Sequence, residues 1–597
     1  MPSDLHDRHP RPLLARANWS DLGGRWQFAY DDADVGRAQR WWERADSFTE
    51  SIEVPFPPES SASGLGNNGF HPTVWYRLIT DVALPESGRR VLLHFGAVDY
   101  SCDLWVNGRH VDSHQGGQTS FEVDITDQLE GAGAQVLTLR VVDDPSDLEQ
   151  PRGKQDWESR PHTIWYDRTT GIWQPVWCEE VPVVHITSLG FETGPDNAVN
   201  YRIRLSTRPD SGTCVRVRIS LDGRVLADVL ASAAESYQTG TVKLQHPTLE
   251  VEPSILQWSP ENPVLLDAEI SVTAADSATV DVVHSYLGLR TVGTGGNSFL
   301  LNNRPYYLRL ALHQGFWPES HLAVPSGQAL HDEVQWVKTL GFNGVRVHQK
   351  VEDSRFLYWC DKLGVVVMAD AAAAYTFSPR SLERTTTEWL RIVERDRGHP
   401  SVIAWVAFNE SWGVPLVDTA PDQREAVRAL YHLIKAVDPT RPVIGNDGWE
   451  HVIGDLTGIH DYSVDPRRIT KRYATPDIAE ETVRTGRPGG RRLTVATTRE
   501  PGPILLSEFG GATLNLGSEE AWSGYDRRHS PQDLLTALEA LFAAVHGAGG
   551  LAGFCYTQLV DTQQERNGLL TEDRVPKADP AHLAAIVRGE PLQKAFQ

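Results

Sequence analysis

The chain has 597 residues, too many for one hydrophobic core, so about three or four globular domains are expected. Its 56 Lys and Arg against 79 Asp and Glu leave a formal charge of -23, which would repel phosphate backbones and anionic lipid headgroups and argues against nucleic acid and membrane surfaces as partners. The 5 cysteines are odd in number and nowhere spaced C-x-x-C, which argues against a disulfide framework or a zinc site and predicts buried free thiols. The opening "MPSDLHDRHPRPLLARANWS" has no apolar core of signal-peptide length, and no run of about 18 apolar residues follows, so the expectation is a soluble, cytoplasmic chain.

Residues 1–182 contain short β-rich runs separated by turn residues, such as "VWYRLITDVAL" and "CDLWVNGRHVDSH", where Asn107-Gly108 marks a tight hairpin; they predict a β-sandwich. Residues 183–292 alternate in "VNYRIRLSTR" and "LLDAEISVTAA" and have the length of a seven-strand immunoglobulin-like sandwich. From 293 to 597 apolar strands alternate with amphipathic helices. The strand candidates are "PYYLRLAL", "GFNGVRVH", "GVVVMAD", "VIAWVAFNE", "RPVIGND", "TGIHDY", "PILLSEFG" and "AGFCYTQL", which together predict a (β/α)8 TIM barrel. The run "GTGGNS" superficially suggests a dinucleotide loop, but Ser298 replaces the third glycine and no helix follows.

In such a barrel the working residues lie at the carboxyl ends of the strands. That rule selects Arg346 and His348, Asp370, Asn409 and Glu410, Asn446 and Asp447, then His460, Asp461 and Tyr462, Glu508, and finally Tyr556 and Gln558. Glu410 and Glu508 follow the most apolar strands. Glycoside cleavage needs one carboxyl group to protonate the leaving oxygen and another to attack or stabilise the anomeric carbon, and a retaining enzyme holds the two roughly 5 to 5.5 Å apart. A glutamate after a strand can equally cap the next helix or pair with an arginine such as Arg346. The two together make the stronger case.

At these residues the sequence resembles glycoside hydrolase family 2, the family of β-galactosidases, β-glucuronidases and β-mannosidases. "HPSVIAWVAFNESWG" resembles its acid/base segment and "PILLSEFGG" its nucleophile segment. "GFNGVRVHQKVEDSRFLYWCDKLGVVVMAD" resembles its Asn-x-x-Arg-x-x-His region, with His348 two residues after Arg346 rather than three. "LQWSPENPVLLDAEI" resembles the end of its immunoglobulin-like domain, and "IEVPFPPESSASGLG" with "HQGGQTSFEVDIT" its N-terminal jelly-roll, galactose-binding-like sandwich. The resemblance implies Glu410 as acid/base, Glu508 as nucleophile and Asn409 as the partner of the sugar 2-hydroxyl. It further implies that Tyr462 and Arg346 hold the nucleophile. His348, Asp461 and Gln558 are expected to contact substrate, and Trp412, Trp449 and Tyr556 to offer stacking surfaces.

Three departures bear on the substrate. Tyr556 stands where the family usually has Trp after the eighth strand. The Asn-x-Lys clamp of the glucuronidases is replaced by Glu565-Arg566-Asn567, with Arg566 or Lys350 as substitutes, and Ala374 and Thr376 stand where magnesium-dependent β-galactosidases carry Glu-x-His. The expectation is a retaining, exo-acting β-glycosidase without metal or cofactor, β-galactosidase-like first. The alternatives are β-glucuronidase, β-galacturonidase, β-mannosidase, a furanosidase, or an inactive carbohydrate-binding protein. A terminal β-glycoside is the expected partner, together at most with further copies of the chain.

Overall fold

The computed structural model describes residues 4–131, 133–194, 198–245, 247, 252–275, 279–495, 502–514 and 526–591. The N-terminal sandwich pairs two antiparallel sheets. One contains Trp19–Asp21, Val176–Pro182, Arg89–Phe95 and Phe121–Asp124. The other runs Glu50–Val54, Gly24–Tyr30, Thr73–Thr80, Gln135–Val142, Ser101–Val106, Arg109–Gln115. Their facing side chains, including Trp26, Phe28, Tyr76, Leu93 and Leu139, form one buried core. The Asn107-Gly108 hairpin has φ of 50° and 77° at its corners, the left-handed pair whose twist matches the flanking strands.

The second sandwich sets a three-stranded sheet (Ile186–Thr193, Ala198–Leu205, Tyr237–Lys243) against a four-stranded one (Arg224–Ser232, Cys214–Leu221, Leu266–Thr273, Thr279–Leu287). Alternation produces it directly, because Leu266, Ala268, Ile270 and Val272 are fully buried while the residues between them are half-exposed. "GTGGNS" lies in the hairpin Val292–Gly295 and Ser298–Leu301 that leads to the barrel.

The barrel strands are β1 (Leu308–His313), β2 (Gly344–Val347), β3 (Val366–Asp370), β4 (Val402–Val406), β5 (Val443–Ile444), β6 (Thr457–Asp461), β7 (Ile504–Gly510) and β8 (Gly553–Thr557). Each falls within one of the eight apolar segments, save that β1 runs one residue past its segment to His313, and all are parallel in the order β5-β4-β3-β2-β1-β8-β7-β6. Helices cover the outside. Five of them open on proline after a capping side chain from Ser378, Asp465, Thr475, Ser530 or Asp579, which fixes where each preceding loop must end. One connection departs from the repeat: residues 445–456 between β5 and β6 carry no helix and fold back through an Ile444–Gly454 bridge.

Both faces of the strands are buried. Ala404 and Val406 of β4 pack in the interior with Leu310, Met368, Leu505 and Cys555, whereas Trp405 packs outward against Trp389 in the helix layer. This alternation continues to the strand ends and decides which polar side chains enter the mouth.

Residues 150–168 of the N-terminal sandwich sit on that mouth. The Arg152 and Gly153 N–H groups both donate to Ala373 O at 3.1 Å. Gly153 is at φ 61°, and a β-carbon there would stand 2.2 Å from Gln349 O, so the backbones touch only because this residue is glycine. Cys102, Cys178, Cys360 and Cys555 are buried, Cys214 is half-buried, and all are free. Among the described residues no helix is long and apolar enough to cross a membrane.

Candidate active site

Arg346 is the hub of the mouth. Its neighbours Val345 and Val347 face the helices, so the guanidinium turns inward and is fully buried. Nη1 donates to Glu508 Oε1 at 2.7 Å, and Nη2 donates to Asn409 Oδ1 at 2.7 Å and lies 2.9 Å from Asp447 Oδ2 and 3.4 Å from Asp370 Oδ2. Burial would lower the pKa of this guanidinium, but Asp447, Glu508 and Asp370 outweigh it and raise it. At the acids the balance differs. Burial would raise Asp447, but Arg346 and His460 pull it down to about 2, whereas at Asp370 burial prevails over Arg346 and the pKa rises to about 7. Asp447 also accepts from the Ser507 hydroxyl at 2.7 Å. It fits only beside a glycine, since a β-carbon on Gly458 would lie 1.5 Å from Asp447 Oδ1.

The two glutamates close around one histidine. Glu508 Oε2 accepts from the Tyr462 hydroxyl, which is 3.2 Å from Thr557 Oγ1. Glu410 and Ser411 take φ of 52° and 61°, a left-handed conformation that costs on the order of 1 kcal/mol or more at each non-glycine residue. The Glu410 N–H donates to Asp447 O at 2.9 Å, the Ser411 N–H to Asn446 Oδ1 at 3.1 Å and the Ser411 hydroxyl to Glu450 Oε2 at 2.7 Å, and these bonds hold the turn. The turn places Glu410 Oε1 2.7 Å from His460 Nδ1, while His460 Nε2 is 3.4 Å from both Asp447 Oδ2 and Glu508 Oε1. One oxygen of each glutamate and a ring nitrogen of His460 all lie within 4.8 Å of one another. Burial would lower the His460 pKa, but Glu508, Asp447 and Glu410 outweigh it and raise it to about 10. A cation bound by this trio would therefore have to displace the proton on His460.

Comparison with known proteins gives this constellation a family. Residues 294–532 match the model described as glycosyl hydrolases family 2, TIM barrel domain, and residues 19–149 match the sugar binding domain of the same family. The chain belongs to glycosyl hydrolase family 2. It is 26% identical to a β-glucuronidase of Canis lupus familiaris over 490 residues, which cover 75% of this chain and 71% of that one. It is 26% identical to a β-galactosidase of Thermoanaerobacter pseudethanolicus over 382 residues, 62% of this chain and 48% of that one. The Bifidobacterium dentium β-glucuronidase has the same fold, with a TM-score of 0.77 and 18% identity over 97% of this chain and 98% of that one. A β-galacturonidase from Eisenbergiella tayi superposes with a TM-score of 0.71 and 18% identity over the same shares, 97% and 98%.

In this family 2 glycosidase the mouth gathers Arg346, His348, Asn409, Glu410, Tyr462 and Glu508. His348 Nδ1 is 3.1 Å from Arg346 Nη1 and 3.9 Å from Glu508 Oε1, and burial, followed by Lys154, Arg346 and His460, drives its pKa well down. The Trp412 ring stands 6.2 Å from the His348 ring. Trp449 meets His460 edge-on at 5.8 Å, under the Arg491 guanidinium.

Three expected contacts turn out differently. Asp461 lies next to His460 on β6 and so faces the opposite way, where Oδ2 accepts from Arg472 Nη1 at 2.6 Å and from the Tyr473 hydroxyl at 2.9 Å. Tyr556 likewise follows the inward Cys555 and is fully buried in the helix layer against Phe509 and Phe542, so it offers no stacking surface. Gln558 is buried and occupied, donating to Glu565 O at 3.1 Å and accepting from Gln314 at 2.5 Å. The substitutes for the glucuronidase clamp are also committed or remote. Lys350 donates to Gly315 O at 2.7 Å and pairs with Glu352 at 2.8 Å, and the exposed Arg566 donates back to Gln563 O at 3.3 Å.

The strand-end rule had selected His460, Asp447 and Asp370, yet the choice among the strand-end residues passed over them. The parity they share with Tyr462 and Arg346 would have ranked them. Lys154, which pairs with Glu565 at 3.0 Å on the mouth, comes from the first sandwich, where no strand-end rule applies.

Proposed function

We propose that this chain is a retaining, exo-acting β-glycosidase with Glu508 as nucleophile and Glu410 as acid/base. The observation that carries this reading is the approach of the two carboxylates within 4.8 Å around His460. Oxygens that close fit the roughly 5 to 5.5 Å separation of carboxyl groups in a retaining enzyme better than the roughly 6.5 to 9.5 Å that makes room for water in an inverting one.

In the first step a Glu508 oxygen bonds to the anomeric carbon as the bond to the leaving oxygen breaks, and Glu410 gives that oxygen its proton. In the second, water attacks the glycosyl ester, its proton passes to Glu410 and Glu508 leaves as a carboxylate. Arg346 and Tyr462, each bonded to Glu508, stabilise it as the attacking and as the departing anion. Arg346 takes up Asn409 Oδ1, which leaves the Asn409 amide N–H groups for the sugar 2-hydroxyl. Residues 150–168 wall one side of the mouth, which favours cleavage of a terminal sugar over an internal one.

For the glycone, a neutral sugar, β-galactoside first, is favoured by the pairing of Lys350 with Glu352 and of Lys154 with Glu565. A β-uronide is the second reading, supported by the β-glucuronidases among the relatives and by Lys154, a buried ammonium whose charge reaches His348. Turnover of 4-nitrophenyl β-galactoside, glucuronide, galacturonide, mannoside and furanosides separates these readings, and the anomer first released, followed by NMR, tests retention. An inverted product, or binding of every sugar without hydrolysis, would overturn the proposal.

A further inference from the structure

A continuous band of aromatic rings leads from the catalytic centre to the rim, and two domains build it. Trp412, two residues beyond Glu410, lies 5.6 Å from Tyr375 and 6.4 Å from Trp165 between ring centroids. Trp165 continues to Trp157 at 4.9 Å and to His162, stacked at 4.8 Å, while Trp157 returns to Tyr375 at 4.8 Å. All five rings are partly exposed. Trp157, His162 and Trp165 belong to the N-terminal sandwich, and Tyr375 and Trp412 follow β3 and β4.

The polar tips of the central rings are already satisfied within the protein. Trp165 Nε1 donates to the Tyr375 hydroxyl at 2.6 Å, that hydroxyl donates to Gly153 O at 2.7 Å, and His162 Nδ1 is 2.7 Å from Asp156 Oδ2. The rings are thus locked in place, and what they offer a ligand is π surface. The Glu508 side chain is 6% exposed and the Glu410 side chain 16%, so the Glu410 side is the more open, and the band begins there: Trp412 lies two residues beyond Glu410 and Tyr375 feels its charge. The group that departs on the acid's side is the aglycone.

The geometry points to this band as an aglycone subsite that selects glycosides whose leaving group carries a flat ring, either an aryl group or a second sugar presenting its C–H face. The inference rests on the reading of Glu410 as acid/base, and it assigns a substrate-contacting role to the N-terminal sandwich.

The test uses the full chain, in the wild type and in Trp157→Ala and Trp157→Phe. Three substrates share the accepted glycone, a 4-nitrophenyl glycoside, a disaccharide and a methyl glycoside, and binding of the 4-nitrophenyl and methyl thioglycosides, which resist hydrolysis, is titrated alongside. Loss of the stacking ring is expected to reduce the preference for the aryl over the methyl compound by about tenfold in kcat/KM and in binding, with Trp157→Phe recovering most of it. The disaccharide arm shows whether a sugar ring is gripped like the aryl group. Equal losses on all three substrates, or an unchanged aryl-to-methyl preference in both measurements, would overturn the subsite. If the wild type hydrolyses nothing, the glycosidase reading fails, and the thioglycoside titration still decides the subsite.

Discussion

Glu508 and Glu410 close the most apolar strands of the barrel, yet their surroundings hold them in opposite ways. Glu508 is bound from two sides by donors that it cannot lose, a buried guanidinium and a tyrosine hydroxyl, on a strand buried at every residue. Glu410 rises on a left-handed turn, is more exposed, and has the ring of His460, protonated up to about pH 10, as its partner. An anion fixed by permanent donors suits attack on carbon. A carboxyl group that opens toward the mouth suits giving and taking a proton. On the proposed reading, the same residue type takes two roles because its neighbours differ.

The largest break in this contrast is Glu508→Ala, which removes the attacking atom and should lower kcat by about 10⁴-fold or more on every substrate. Residual turnover near the wild-type level would dismiss Glu508 as nucleophile. Glu410→Ala is expected to cost about 10² to 10⁴-fold on glycosides with poor leaving groups and far less in the glycosylation of activated aryl glycosides. Added azide should then accelerate its turnover and yield a β-glycosyl azide. A loss independent of the leaving group would argue that Glu410 is not the acid. Tyr462→Phe removes one charge-assisted hydrogen bond and should reduce kcat about 10 to 100-fold with little change in stability.

The smallest effect is on stability and sharpens the role of His460. Its pKa is raised from 6.5 to about 10, so the stabilisation from this proton is fully present below pH 6.5 and is lost as the pH climbs through 10. The wild type should lose more melting temperature between those values than His460→Asn does. Parallel melting curves would mean that His460 carries no such proton.

The barrel was legible because its strands are buried on both faces and so read as near-continuous apolar runs between amphipathic helices. The same burial hid the facing of their ends, since a fully buried strand has no alternation to count. Asp461 was therefore preferred to its neighbour His460, and Tyr556 was given a pocket role that its outward parity denies it. The arginine, the histidine after it and the two glutamates could be found because they stand at the carboxyl ends of the expected strands, and the resemblance then implied a role for each. Trp157, Trp165 and Lys154 could not. They lie in a loop of a different domain, and their place on the mouth is set by how a sandwich docks on a barrel, which no local pattern encodes.

The contact at Gly153 has a consequence for assembly. A barrel that folded correctly but stood free of the sandwich would hold both glutamates, the arginine and the histidine, and would still lack the loop that borders its mouth. The complete mouth therefore exists only once the two domains have docked, and a single methyl group at residue 153 would meet the carbonyl of Gln349 in that joint. The shape of the mouth is, in that sense, a property of the joint between two domains.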